Sequence, residues 1–186
     1  MNCYEEFANA VTMLPPPFIL YYYATTPSAW ILVAAVAAQI PFSMSYHVRM
    51  AWERYCEIER CSVDNHWRRM DQTTQHLSQL IVTWALSGDL CYTAVVAAVH
   101  CVACGCLWYP ATSNDRRRWQ PLALGVLLYV KPMGCSLELG AALAPMLIGG
   151  TVAFVPFCKQ PYGHAVFHVC TWAHAVVLGH WASTHT

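Results

Sequence analysis

Ser28-Ala29-Trp30-Ile31-Leu32-Val33-Ala34-Ala35-Val36-Ala37-Ala38 opens a run that stays predominantly apolar as far as His47. A helix crossing the hydrocarbon of a bilayer needs about 20 such residues at ~1.5 Å of rise each, and this run is that long. Ser28, following Pro27, reads as its N-cap. Six further segments have the same character: about 4–25, interrupted by Pro15-Pro16-Pro17, then 70–88, 90–109, 119–131, 134–156 and 162–182. Proline in a helix interior removes a hydrogen bond and kinks the chain, so the first segment is expected to be irregular. Ser87-Gly88-Asp89 has the chemistry of a tight turn, and the Gly- and Ala-rich 134–156 suits close helix packing.

Composition points the same way. Of 186 residues 57% are hydrophobic and 11% charged, against roughly 25% charged in an ordinary soluble domain. The predicted fold is all-α: one membrane-embedded domain over 1–186, a seven-helix transmembrane bundle with a polar inner-side loop at about 48–69. Ten Lys and Arg balance ten Asp and Glu, so nucleic acid is not an expected partner. Met1-Asn2-Cys3-Tyr4-Glu5-Glu6 lacks the basic start of a secretory or transit leader, and insertion is expected through the helices themselves. Cys91, Cys101, Cys104, Cys106, Cys135 and Cys170 fall in apolar runs, where thiols behave as small hydrophobes. Cys101-Val102-Ala103-Cys104-Gly105-Cys106 has metal-type spacing but no partner pair elsewhere.

Alternate threading of the seven segments puts Arg49, Arg54, Arg60, Arg68, Arg69, Arg116, Arg117, Arg118 and Lys159 on one side and Lys131 on the other. By the positive-inside rule the first side is cytoplasmic or matrix-facing. The expected protein is thus integral and multi-pass, in the endoplasmic reticulum or Golgi or in the mitochondrial inner membrane. The same threading brings His47, Asp71, His164 and His168 to one depth near that face. Ionisable groups inside a membrane are costly and mark functional sites. His164 and His168, four apart, share one helix face, as do Ser43 and His47. Three imidazoles and one carboxylate at one level suggest a metal, and a pair such as His164 and His168 can take two of the three protein positions of a catalytic zinc. Alone, His164 and His168 also read as packing histidines, and Ser43 as a serine bonded to a carbonyl one turn back.

These residues carry a family resemblance. Ser43-Met44-Ser45-Tyr46-His47 resembles the Ser-x-x-Phe/Tyr-His motif of the alkaline ceramidases. Asp71 is similar to the acidic residue that opens their next helix, and His164-Ala165-Val166-Phe167-His168 to their His-Ala-x-Trp-His motif. Glu6-Phe7-Ala8-Asn9-Ala10-Val11-Thr12 is similar to the Glu-Phe-x-Asn-Thr-x-Ser stretch of the first helix. The wider group of seven-helix membrane hydrolases includes the adiponectin-receptor relatives, which the charge distribution of this chain matches better. The resemblance implies Zn2+ held by His47, His164 and His168, with Asp71 and Ser43 as catalytic residues beside the attacking water, and a membrane lipid amide such as a ceramide as substrate. Asp71 is followed by Gln72 where ceramidases carry Glu. Of their acidic calcium-binding stretch this chain keeps only Glu6, so calcium is not an expected cofactor.

Two other readings remain open. One is a catalytically silent relative serving as an accessory subunit among partner membrane proteins, with Trp52, Trp67, Arg68 and Arg69 as docking groups. The other is a haem protein using two of His76, His100, His174 and His180, which also lie in apolar segments.

Overall fold

The computed structural model describes residues 2–56, 66–109, 119–134, 136–155 and 161–185. Among these the protein is all-helical: α1 Cys3–Thr12, α2 Pro15–Tyr22, α3 Pro27–Tyr55, α4 His66–Ser87, α5 Leu90–Trp108, α6 Trp119–Val130, α7 Leu137–Phe154 and α8 Gly163–His185, with a 3₁₀ turn at Lys131–Met133. The first expected segment is indeed broken. The chain leaves α1 at Met13, and Pro15, Pro16 and Pro17 occupy the first turn of α2, where a missing N–H costs nothing. Asn2 and Glu5 close a capping box at the start of α1, each backbone N–H meeting the other's side chain at 2.9 Å.

Two expectations need correction. Thr26, not Ser28, caps α3: its hydroxyl accepts from the Ala29 N–H at 3.2 Å and Pro27 takes the first helical position. The polar segment expected over 48–69 is also shorter. α3 continues to Tyr55 and α4 begins at His66, so Arg49, Arg54, Arg68 and Arg69 all stand on helices. An Arg49–Glu53 pair one turn apart, at 2.7 Å, supports this polar extension. The remaining charges assigned to that side, Arg60, Arg116, Arg117, Arg118 and Lys159, lie outside the described residues. At the other end Lys131 stands over the Tyr92 ring at 4.9 Å.

α3, α5 and α7 are long and apolar enough to cross a membrane. Only 22%, 17% and 17% of their most apolar stretches are buried against the protein, so Trp30, Val95, Val102, Leu147 and Ile148 face outward. Such an apolar exterior suits a lipid surrounding. α6, with 12 residues, is only ~18 Å long at 1.5 Å per residue.

α7 packs on α8 and α3 on α4; α4 also holds α5 and α6, while α1 and α2 fill the groove between α3 and α8. Gly149 and Gly163 permit the α7–α8 approach: a methyl on Gly149 would stand 3.0 Å from Phe167 Cα, and one on Gly163 2.7 Å from the Val152 carbonyl oxygen. The interior has two zones. Leu20, Leu32, Ala35, Val82, Leu86, Val130, Ala142, Leu178 and Ala182 form an apolar core at one end. The other end of the same helices buries Glu6, Asn9, Ser43, His47, Asp71, Gln72 and His168.

Candidate metal centre

α3 delivers Ser43 and His47 to the polar zone, α4 delivers Asp71, and the first turns of α8 deliver His164 and His168. The approach to α8 is tight. Tyr162 has φ +57, a left-handed conformation that strains a bulky residue, and Gly163 then presses on α7. Together they set where His164 begins its turn.

One potential ligand atom from each of His47, His164 and His168 lies within 4.8 Å of the others. Among the described residues this is the one group of three or more His, Cys, Asp or Glu that converges in this way. Ring centroids are 5.2 Å apart for His47 and His164, 5.6 Å for His47 and His168, and 4.6 Å for His164 and His168. His47 and His168 are buried and His164 is partly so, with Phe154 and Phe167 against its ring. These three histidines could hold a metal ion.

Asp71 is buried, lies beside Ser43 and is within electrostatic reach of His47. Its Oδ2 accepts from Gln75 Nε2 at 3.1 Å. Asp71 Oδ1 and Ser43 Oγ are buried without a hydrogen-bond partner of good geometry. Buried polar atoms are normally satisfied, and here the Ser43 hydroxyl and the Asp71 carboxylate stand near enough to serve one another. The back-bonded alternative for Ser43 does not occur. Ser45 Oγ donates to the Pro41 carbonyl at 2.6 Å instead.

Sequence patterning missed the participation of α1. Glu6 is 2% exposed, and its Oε2 lies 2.9 Å from His47 Nδ1 while Oε1 lies 3.4 Å from Arg54 Nε. His168 Nδ1 meets the Asn9 carbonyl at 3.0 Å and Thr12 Oγ1 at 3.1 Å. The signal was present in the spacing: Glu6, Asn9 and Thr12 recur every three residues along α1.

The remaining histidines do not join the site. His174 is a satisfied core residue, donating from Nδ1 to the Ala142 carbonyl at 2.8 Å and accepting at Nε2 from the Tyr129 hydroxyl at 2.5 Å. His76 and His100 touch directly, Nδ1 to Nδ1 at 2.9 Å, leaving no space for an iron and its macrocycle between them. His180 is exposed on α8. Cys101, Cys104 and Cys106 line up along α5, two exposed and one half-buried.

No family model matches the chain, and no curated protein or solved structure matches it.

Proposed function

We propose that the protein is a multi-pass, seven-segment membrane hydrolase that holds zinc at His47, His164 and His168 and cleaves a lipid amide of the ceramide type. The observation that carries this reading is one buried place containing three converging imidazoles together with a carboxylate and a hydroxyl, Asp71 and Ser43, beside one another. Three neutral imidazoles are the donor set that suits zinc and leaves a coordination position open. Bound there, the ion would bring water towards ionisation near neutral pH and polarise the scissile carbonyl.

The chain's own groups divide the remaining work. Asp71 Oδ1 takes the proton of the attacking water and returns it to the departing amine, so amide plus water gives acid plus amine. Gln75, bonded to Oδ2 at 3.1 Å, leaves Oδ1 as the oxygen for this work. The Ser43 hydroxyl donates to the carbonyl oxygen as negative charge develops on it. The outward apolar faces of α3, α5 and α7 suit a substrate that arrives through the bilayer.

The test is purification in detergent, metal analysis and assay on ceramide vesicles. One zinc per chain and release of fatty acid from the purified protein support the reading. Absence of bound zinc after reconstitution defeats the metal assignment. Zinc without turnover, with the chain held in a larger membrane complex, assigns the accessory role instead.

A further inference from the structure

Three groups of α1 meet the proposed ligands although none is itself one of them: Glu6 at His47, and the Asn9 carbonyl and Thr12 hydroxyl at His168. Their chemistry determines the state of both rings. A backbone carbonyl only accepts, so His168 must donate to Asn9 from Nδ1. Thr12 Oγ1 uses its own hydrogen on the backbone, at 2.8 Å from the Ala8 carbonyl and 3.1 Å from that of Asn9, and therefore also accepts from His168. Glu6, facing the Arg54 guanidinium at 3.4 Å, presents a carboxylate that accepts from His47 Nδ1. Both imidazoles thereby carry a proton on Nδ1, which leaves Nε2 as the nitrogen that can bind an ion.

We infer that α1, and Glu6 above all, positions and tunes the metal ligands, an inference that rests on the zinc reading above. Glu6 fixes the tautomer and ring angle of His47 and places one negative charge a single imidazole away from the ion, in a buried setting where that charge is little screened. Arg54, reaching back from the polar end of α3, keeps this buried carboxylate paired when the site holds no ion. The Asn9–Thr12 turn does the same work for His168 without charge. Trp172, donating to the Thr12 carbonyl at 2.8 Å, locks this turn of α1 onto α8. Removal of such outer partners weakens metal binding about 10- to 100-fold in well-studied sites.

The experiment is a competition titration of zinc against a chromogenic chelator, with cobalt(II) absorption as a second readout, on wild type, Glu6→Gln, Glu6→Ala and Glu5→Gln. Glu5→Gln makes the same charge change one residue away, outside the ligand shell. Glu6→Ala is expected to weaken zinc about 10- to 100-fold and Glu6→Gln less, both with shifted cobalt bands, while Glu5→Gln matches wild type. Should Glu6→Ala fail to fold, the near-isosteric Glu6→Gln carries the comparison. Wild-type protein that binds zinc, with Glu6 variants within twofold of it and unshifted cobalt bands, overturns the inference and leaves the site standing. Wild-type protein that binds no metal overturns both.

Discussion

His47 Nδ1 and Glu6 Oε2 meet at 2.9 Å across 41 residues of sequence, both side chains almost wholly withdrawn from the surface. A buried imidazole held by a carboxylate on one nitrogen presents the other as a ligand, so the contact gives the polar end of the bundle its direction.

His164→Ala and His168→Ala should each remove most of the bound zinc, because two remaining imidazoles rarely retain zinc in a catalytic-type site. Elemental analysis of purified variants is the check. Full zinc content in both variants would mean that the histidines are packing residues.

Ser43→Ala and Asp71→Asn should keep the metal and lose turnover. Loss of one donor to a developing oxyanion costs ~10²–10³ in kcat, and loss of a general base and acid ~10²–10⁴. Turnover of a ceramide substrate by either variant at the wild-type rate would remove that residue from the mechanism.

Tyr129→Phe should lower stability without touching the metal. It leaves His174 Nε2 buried and unpaired, which costs ~1–3 kcal/mol. Thermal unfolding in detergent and metal content, measured on the same sample, separate this core histidine from the ligand set. Loss of zinc would place His174 in the site after all.

Gly163→Ala should do both kinds of damage. The new methyl would stand 2.7 Å from the Val152 carbonyl oxygen, and relief by backbone movement costs ~1–3 kcal/mol. The movement falls on the residue before His164, so zinc affinity should drop along with stability. Wild-type affinity in a destabilised variant would show that α8 absorbs the strain away from the ligands.

The helices and the convergence of the three histidines were legible in the sequence because both follow from simple rules. Apolar run length marks a helix, and helices that run alternately up and down bring residues distant in sequence to the same end. The bounds of α5, Leu90–Trp108, lie within one residue of the expected 90–109. The polar ends were harder, since α3 runs on to Tyr55 through Arg49 and Glu53, where apolar character has already ended and a side-chain pair sustains the helix. In the sequence Glu6 stands out only through the family resemblance, as the start of a first-helix motif and the counterpart of a calcium-binding acid. Its actual partners, His47 and Arg54, come from a helix beginning after two breaks in the chain. No local pattern encodes which groove α1 enters, and that choice decides what Glu6 touches.

The division of the interior has a consequence for how the protein matures. The apolar core around Leu32, Val82 and Leu178 joins α2, α3, α4, α6, α7 and α8 without involving any of the three proposed ligands. If zinc is held as proposed, the bundle would close around this core without it, unlike small zinc domains in which metal binding is the folding energy. The chain would be inserted and assembled first and loaded afterwards, so its activity in a cell would track zinc supply while its abundance would not.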